Sequence, residues 1–378
     1  MKTEVNKMTK QPSYRFAGYT ESWVEKKLGE VADRYDNLRV PVSANERISG
    51  STPYYGANGI QDYVDGYTHD GEFILIAEDG ASDLKDYPVQ YVNGKVWVNN
   101  HAHVIRGKHN LIKNLFLLFA VKRINIEPFL VGGGRAKLNS DVMMKLPLRL
   151  PSLSEQTAIG SFFQDIDQLI SLQQRKLEVL KEQKKTYLKL LFPAKGQTKP
   201  ALRFAGFEDD WKEVKLGEIV ASERKGKAKS EMVGNKSIYL DTIYLNGGEQ
   251  TKVDCDCDTS KEDIIILWDG SQAGTVYYGF EGALGSTLKS YKIFGSGSFY
   301  YQQMKASQSL IFERYRTPNI PHVIKSFLDD FYIFTTSLPE QEAIGSFLQD
   351  LDKAIAKQEG KVNQLKESKQ TLLRKMFI

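Results

Sequence analysis

The feature that most constrains this chain is an internal duplication, which predicts two copies of one structural unit. The segment 14–31, YRFAGYTESWVEKKLGEV, matches the segment 202–219, LRFAGFEDDWKEVKLGEI, at ten of 18 positions with an offset of 188. The segment 152–192 matches the segment 337–377 at 22 of 41 positions with an offset of 185. Because the two offsets nearly agree, one unit has been duplicated with small length changes. Two units are too few for a solenoid.

The segments between the matching blocks, 32–150 and 220–335, share no run of residues that can be aligned. Each half therefore consists of a repeated leader, a globular insert that differs between the halves, and a second repeated segment. We interpret this layout as one frame that performs the same task twice, while two different inserts perform two different tasks.

The second repeated segment predicts two amphipathic helices whose apolar residues recur in alternating steps of four and three, as in the seam of a coiled coil. The two seams comprise Ile159, Phe163, Ile166, Ile170, Gln173, Leu177, Leu180, Lys184, Tyr187 and Leu191, and Ile344, Leu348, Leu351, Ile355, Gln358, Val362, Leu365, Lys369, Leu372 and Met376. Both seams contain the same two polar layers, Gln and then Lys, and polar seam residues set register and partner.

We expect the two helices to pack on each other in antiparallel fashion. Each helix follows its own globular region, so this pairing would place those regions at opposite ends of a rigid spacer. A helix of about 40 residues spans roughly 60 Å. The alternative is that each amphipathic helix packs only on its own domain.

Composition is typical of a globular protein, with 41% hydrophobic and 26% charged residues in 378. The net charge of +4 permits nucleic-acid binding without arguing for it. The polar start of the chain, Met1 to Pro12, predicts neither a signal peptide nor a membrane span. Cys255 and Cys257 are too close for an ordinary structural disulfide, so we expect a cytoplasmic protein.

The predicted fold class is mixed α/β (α+β), with two globular domains and two long antiparallel helices in a pseudo-two-fold repeat. Short apolar runs between glycine-bearing turns, such as 71–80 and 263–270, predict strands, and 114–124 predicts a buried helix. Phe16, Trp23 and Leu28 recur as Phe204, Trp211 and Leu216, which indicates core anchors. The predicted segments are an N-terminal extension 1–13, a domain 14–150, a helix 151–193, a linker 194–201, a domain 202–335 and a helix 336–378.

Polar loops of the inserts carry side chains suited to DNA, since amides can pair with adenine and cations or tyrosines can contact phosphate, sugar or guanine. The candidates of the first insert are Tyr54, Tyr55, Asn58, Gln61, Asn99, Asn100, His101, His103, Arg135 and Lys137. The candidates of the second insert are Arg224, Lys225, Lys227, Ser271, Gln272, Thr287, Lys289, Arg314, Arg316, Asn319 and His322. Each loop alone is typical of a solvated turn, and only their shared richness in Asn, Gln, Arg and Tyr favours DNA.

Signatures of catalysis are missing from the sequence. It contains no GxxxxGK[ST] phosphate loop, no [DN]-P-P-[YFW] tetrapeptide of amino-methyltransferases and no HExxH. The Cys-x-Cys run lacks partner ligands at metal spacing, and His101 and His103 lack a third ligand. We therefore expect a chain with no catalytic residues, no metal and no cofactor of its own.

The repeated leaders RFAGYTESWVEKKLGE and RFAGFEDDWKEVKLGE, followed by SLSEQTAIGSFFQDID and SLPEQEAIGSFLQDLD, resemble the specificity subunit of type I restriction–modification systems over nearly the whole chain. The resemblance implies two target recognition domains, each recognising half of a split site on double-stranded DNA, with helices that fix the gap. It implies two methylation subunits, which bind S-adenosylmethionine, and motor–nuclease subunits for restriction as partners, and no membrane. The alternative is a protein–protein scaffold whose helices dimerise.

Overall fold

A computed structural model describes residues 11–132 and 136–377 of the chain. The chain divides into two compact units. Unit 1 comprises Met1–Gln174 and Lys361–Ile378, and unit 2 comprises Arg175–Gly360. Each unit thus contains one leader, one insert and a part of each long helix.

The first half of the chain contains short strands and helices that end in one long helix. In chain order they are β1 (Val24–Lys27), α1 (Leu28–Val31), β2 (Ala32–Arg34), β3 (Ser49–Gly56), β4 (Gly59–Val64), β5 (His69–Asp70), β6 (Phe73–Ala77), β7 (Val89–Val92), β8 (Lys95–Val98), β9 (Ala102–Gly107), α2 (Asn114–Lys122), α3 (Ser140–Met143), β10 (Pro147–Leu150) and α4 (Leu153–Leu190).

The second half also contains short strands and helices that end in one long helix. Its elements are β11 (Lys212–Lys215), α5 (Leu216–Ile219), β12 (Val220–Lys225), β13 (Val233–Leu240), α6 (Thr242–Leu245), β14 (Lys252–Val253), β15 (Ile264–Leu267), β16 (Val276–Tyr278), β17 (Ala283–Leu284), β18 (Leu288–Ile293), α7 (Gly297–Ala306), α8 (Gln308–Arg314), α9 (Phe327–Asp330), β19 (Tyr332–Thr335) and α10 (Leu338–Met376).

The described residues of the two units form corresponding sheets, of which the second has four strands in unit 1 and three in unit 2. In unit 1 an antiparallel sheet has the order β2-β9-β6-β7, and in unit 2 the order β12-β18-β15-β16 corresponds to it. A second sheet contains a parallel pair, β3 with β8 in unit 1 and β13 with β17 in unit 2. The leader strand pairs antiparallel with the strand before the long helix, β1 with β10 and β11 with β19. The two inserts, which share no alignable run of residues, therefore share a strand order, because strand order depends on burial and pairing rather than on residue identity.

The repeated leader residues form the core, as the sequence predicts. Trp23 and Leu28 are 3% and 0% exposed, and Trp211 and Leu216 are 2% and 0% exposed. Phe16 meets Phe162 of α4 edge to face, with ring centroids 5.5 Å apart. The equivalent pair in unit 2 is Phe204 with Phe347 of α10 at 5.7 Å. The leader therefore fixes the start of the long helix on each insert.

An arginine of each leader pairs with a buried glutamate in the first turn of a long helix. In unit 1, Arg15 Nε and Nη2 donate to both carboxylate oxygens of Glu155 at 2.7 Å, and Glu155 is 0% exposed. In unit 2, Arg203 makes the same two bonds to Glu340 at 2.7 and 2.8 Å. Two parallel bonds fix both distance and plane, so the leader is joined to the helix in one orientation.

The two long helices run antiparallel within each unit. In unit 1 the early part of α4 meets the late part of α10: Ile159 and Phe163 share a core with Leu373 and Met376. In unit 2 the late part of α4 meets the early part of α10, where Lys181 Nζ lies 2.6 Å from a Glu359 carboxylate oxygen. All the predicted seam positions are buried or half-buried.

The lysine layer of each seam is paired across the helices. Lys184 Nζ lies 2.5 Å from Asp352 Oδ1, and Lys369 forms the equivalent ion pair with Asp167. These residues are exchanged by the 185-residue offset of the repeat. Since a shifted helix would separate half-buried charges from their partners, the two pairs favour a single antiparallel register. Within residues 11–132 and 136–377, every helix is too short or too polar to span a bilayer.

Candidate nucleic-acid interface

The predicted polar residues gather in each unit where the central strand of the antiparallel sheet ends. In unit 1, β6 is followed by Glu78, Asp79 and Gly80; in unit 2, β15 is followed by Trp268, Asp269 and Gly270. We call this place the strand-end surface of each unit. The glycines have φ values of 68° and 119°, which side chains rarely adopt, so both turns need glycine.

Backbone hydrogen bonds place other loops at the same surface. In unit 1, Glu78 N donates to His101 O at 2.8 Å and Leu138 N donates to Glu78 O at 2.7 Å. In unit 2, Trp268 N donates to Thr287 O at 2.8 Å and Val323 N donates to Trp268 O at 2.9 Å. The two surfaces are therefore built from equivalent loops.

Charged residues from distant segments form a network at the unit 1 surface. His103 Nδ1 lies 2.7 Å from Asp36 Oδ2, and its Nε2 lies 2.8 Å from the Leu138 carbonyl oxygen. Arg39 donates to Glu78 Oε2 at 2.6 Å, and Lys137 Nζ lies 2.7 Å from Glu78 Oε1. This network joins the start of the insert to the strand end and to the loop before α3.

The network stabilises the ionised carboxylates. Burial raises the pKa of Asp36, but hydrogen bonds from His103 and from the Val104 N–H outweigh it, and the net pKa is lowered. Burial likewise raises the pKa of Glu78, and hydrogen bonds from Lys137 and Arg39 lower it overall. The Glu78 hydrogen bond also raises the pKa of Lys137. The surface therefore presents paired charges.

Two candidates of the first insert, Tyr54 and His103, are buried in the structure. Tyr54 is 1% exposed, and its hydroxyl donates to Val42 O at 3.2 Å and accepts from Val42 N at 3.0 Å. His103 is 1% exposed and belongs to the network above. Asn99, 4% exposed, accepts from His101 N through Oδ1 and is a turn former rather than a free amide.

The segment 52–63, expected to be a loop, is most of the hairpin β3–β4. Asn58 lies in its turn, where Nδ2 donates to Gly80 O at 2.9 Å and Oδ1 accepts from Ser82 N at 2.8 Å. Its amide thus holds the hairpin against the strand-end surface. Tyr55 is half-buried and Gln61 is exposed.

The remaining candidates of unit 1 differ in exposure. Asn100 is exposed, and His101 is half-buried with Nδ1 2.5 Å from Asp79 Oδ1. Lys137 is half-buried in its pair with Glu78. Arg135 lies outside the described residues. No group of three or more His, Cys, Asp or Glu suited to a metal occurs in the part of the chain that the structure describes.

Unit 2 brings together candidates from three separate segments. Lys225 of β12 forms an ion pair with Asp269 at the strand end. Arg316 Nη1 donates to Ser271 O at 3.2 Å, and His322 forms a β-bridge with Asp269. Prediction from sequence could not place these segments side by side.

A cleft of about 600 Å³ opens at this surface. Three predicted residues, Ser271, Gln272 and Thr287, line it. Sequence reasoning missed the other lining residues, among them Thr242 and Ile243 of α6. The signal that could have marked both surfaces is an Asp-Gly pair that begins two residues after the end of a buried apolar strand, at 79–80 and 269–270.

The other candidates of unit 2 differ in exposure and in bonding. Lys289, opposite Lys225 in the sheet, is half-buried, pairs with Glu223 and places Nζ 3.4 Å from the centroid of the Trp268 ring. Arg224 donates to Asp258 O at 2.7 Å. The remaining side chains, which are exposed and make no ion pair among the described residues, are Lys227, Arg314 and Asn319.

The two units share a strand order and carry different polar groups at equivalent surfaces. This arrangement is typical of a duplicated scaffold with two different binding surfaces. The chain belongs to the family described as type I restriction modification DNA specificity domain, whose model matches residues 20–182 and 208–367. Both halves match, which agrees with the shared sheet order.

Named relatives carry the same description. Over 146 residues the chain is 49% identical to a Haemophilus influenzae protein named as the type I restriction enzyme specificity subunit S.HindORF215P, covering 39% of this chain and 38% of the relative. It is 29% identical over 181 residues to the type I restriction enzyme MjaVIII specificity subunit of Methanocaldococcus jannaschii, covering 45% and 42%. The matched segments thus span less than half of these relatives.

A solved structure shares the fold. The S subunit of a type I restriction-modification system from M. genitalium matches with a TM-score of 0.76 and 18% identity, covering 97% of this chain and 99% of that one.

Proposed function

We propose that this chain is the DNA-sequence-specificity subunit of a type I restriction–modification complex, with unit 1 and unit 2 each recognising one half of a split site. The observation that carries the proposal is the pair of equivalent strand-end surfaces with unlike side chains. One frame presents two different sets of polar groups, which suits recognition of two different half-sites. Lys227 and Arg314 add exposed cations that could contact phosphate.

The chain acts as a non-catalytic subunit in this proposal. Two methylation subunits would bind S-adenosylmethionine and perform methyl transfer, and motor–nuclease subunits would perform restriction. Two equivalent frames offer two equivalent docking sites for two copies of one partner. The long helices set the distance between the half-sites, because the paired lysine layers allow one register.

The methylome of a host tests the proposal directly. Single-molecule real-time sequencing of host DNA, with and without this chain and its methylation subunit, should reveal methyladenine at one split motif. Replacing residues 220–335 with the corresponding insert of another family member should change one half of that motif and leave the other half intact. No motif that depends on this chain, or a simultaneous change of both halves, would contradict the proposal.

The rival function is a protein–protein scaffold whose helices dimerise. Phosphate contacts release counterions, so the affinity of the assembled complex for DNA should fall steeply between 50 and 200 mM salt, on the order of 10³-fold if six phosphates are contacted. If the complex does not bind DNA even at low salt but forms stable complexes with proteins, the scaffold function is favoured.

A further inference from the structure

The polar side chains around the unit 2 cleft divide into two groups by their hydrogen bonds. Four are already engaged. Asn246 Nδ2 donates to Thr242 O at 2.6 Å and its Oδ1 accepts from the Tyr277 hydroxyl at 3.4 Å. Asp269 pairs with Lys225, and Thr275 Oγ1 donates to Gln272 O at 2.7 Å.

Four other lining side chains make no hydrogen bond among the residues that the structure describes. They are Thr242, Ser271, Gln272 and Thr287. Only backbone atoms of these residues are bonded, and Gln272 is exposed. Gln272 thus retains both an amide donor and a carbonyl acceptor for a ligand. It is the only carboxamide of the described cleft lining with both groups unengaged.

An aliphatic side chain completes the same cleft. Ile243 is 63% exposed, although it lies in α6 between residues that pack on the sheet. Asp241 caps α6 by accepting from Tyr244 N at 2.8 Å, so the short helix holds Ile243 in a fixed position. An exposed isoleucine beside free hydroxyl and amide groups is suited to a ligand with both an apolar and a polar edge.

The nearest cations already bond to groups of the protein. The Arg316 guanidinium donates to Phe312 O at 2.9 Å and to Ser271 O at 3.2 Å, and lies 4.6 Å from the Phe312 ring centroid. Lys225 pairs with Asp269. Guanine is recognised most often by an arginine or lysine, whereas adenine is recognised by an amide and thymine by apolar contact with its methyl group.

We infer that unit 2 recognises at least one A·T pair in its half-site, with the Gln272 amide on the adenine edge and Ile243 on the thymine methyl. The inference rests on the proposed function and names the bases for this cleft. Both donor and acceptor of Gln272 are needed for paired bonds to adenine N6 and N7. The inference concerns an A·T pair other than one whose adenine is methylated.

The test compares methylomes of hosts that express the full chain with its methylation subunit. Gln272→Ala should reduce discrimination at one A·T position of one half-site by about five- to 150-fold. Gln272→Glu should shift preference at that position toward cytosine, since a carboxylate accepts from cytosine N4. Ile243→Ala should relax the same position or its neighbour. Gln250→Ala is the matched control, because Gln250 is an exposed glutamine of unit 2 that lines a different cleft.

The outcomes separate the inference from the proposed function. A split motif that both Gln272 variants leave unchanged overturns the inference and leaves the proposed function intact. So does a change confined to G·C positions, or an equal change in the Gln250→Ala control. The absence of any motif that depends on this chain overturns both. Altered preference at one A·T position with Gln272→Ala, and a shift to cytosine with Gln272→Glu, supports the inference.

Discussion

The strand-end surfaces of unit 1 and unit 2 occupy equivalent places in one topology but carry different chemistry. In unit 1 the surface is a network of paired charges, and in unit 2 it is a cleft lined mainly by neutral groups, with an ion pair between Lys225 and Asp269. The equivalent positions, matched by strand register and backbone bonds, are His103 and Lys289, Glu78 and Trp268, His101 and Thr287, and Lys137 and His322. The fold therefore leaves these positions free to vary.

The frame behaves in the opposite way. The bidentate pairs Arg15–Glu155 and Arg203–Glu340 repeat with nearly the same distances. The tight approach of the long helix to the insert also repeats: Gln156 Oε1 accepts from Lys113 N at 2.9 Å, and Gln341 Oε1 accepts from Ser296 N at 3.0 Å. Matched substitutions in the two frames should therefore change the stability of the two units equally. Matched substitutions at the strand-end surfaces should change it unequally.

The largest expected effect is equal in the two units. Arg15→Ala and Arg203→Ala each leave a buried glutamate without its partner, which should lower the free energy of unfolding of the affected unit by about 3–5 kcal/mol. Hydrogen exchange followed by mass spectrometry measures each unit separately. Lys26→Ala, which removes an exposed pair with Glu30, is the control and should leave the free energy of unfolding nearly unchanged. Costs that differ strongly between the two arginine variants would break the equivalence of the frames.

The next effect on stability should differ between the two units, since the equivalent residues His103 and Lys289 make different contacts. His103→Ala removes a buried partner of Asp36 and should destabilise unit 1 by about 3 kcal/mol. Lys289→Ala removes a half-buried ion pair and a cation–π contact, and should destabilise unit 2 by about 1 kcal/mol. Urea denaturation with the same exchange readout measures both. Equal costs would mean that the charge network of unit 1 is not a special structural feature.

The frame could be predicted from the sequence because large apolar residues recur at fixed spacing. Trp23 and Trp211 stand in the two leaders at matching places, and burial is the common outcome for such residues. The seams of the long helices follow from periodicity in the same way. The shared topology of the inserts could not be predicted, since β6, FILIA, and β15, IIIL, satisfy the same buried environment with few identities.

The candidate site was only partly predictable because the burial of a polar residue depends on distant partners. His103 bonds to Asp36, 67 positions earlier, and no local pattern indicates that pair. Tyr54 is held by Val42 in the same manner, 12 positions away. The glycine-bounded loop with Ser271 and Gln272 was predictable as an exposed turn, whereas its meeting with Thr287 and Arg316 depends on sheet order.

The smallest expected effect concerns stability changes at glycines of the long helices. Gly160 and Gly345 are equivalent in the repeat, and Gly360 serves as their control. A Cβ on Gly160 would lie 2.9 Å from Leu115 Cβ and 3.0 Å from Phe116 N, and one on Gly345 would lie 2.9 Å from Phe299 N. Because backbone must move, Gly160→Ala and Gly345→Ala should each destabilise by about 1–3 kcal/mol.

Gly360 of α10 is the matched control, since it is exposed and an added Cβ would meet nothing within 4 Å. Gly360→Ala should stabilise the helix by about 0.5–1 kcal/mol through a lower entropic cost of folding. Thermal denaturation of the three variants gives the sign of each change. Stabilisation by Gly160→Ala or Gly345→Ala would show that the long helices do not rely on close packing against α2 and α7, and the frame would then be defined by its arginine pairs alone.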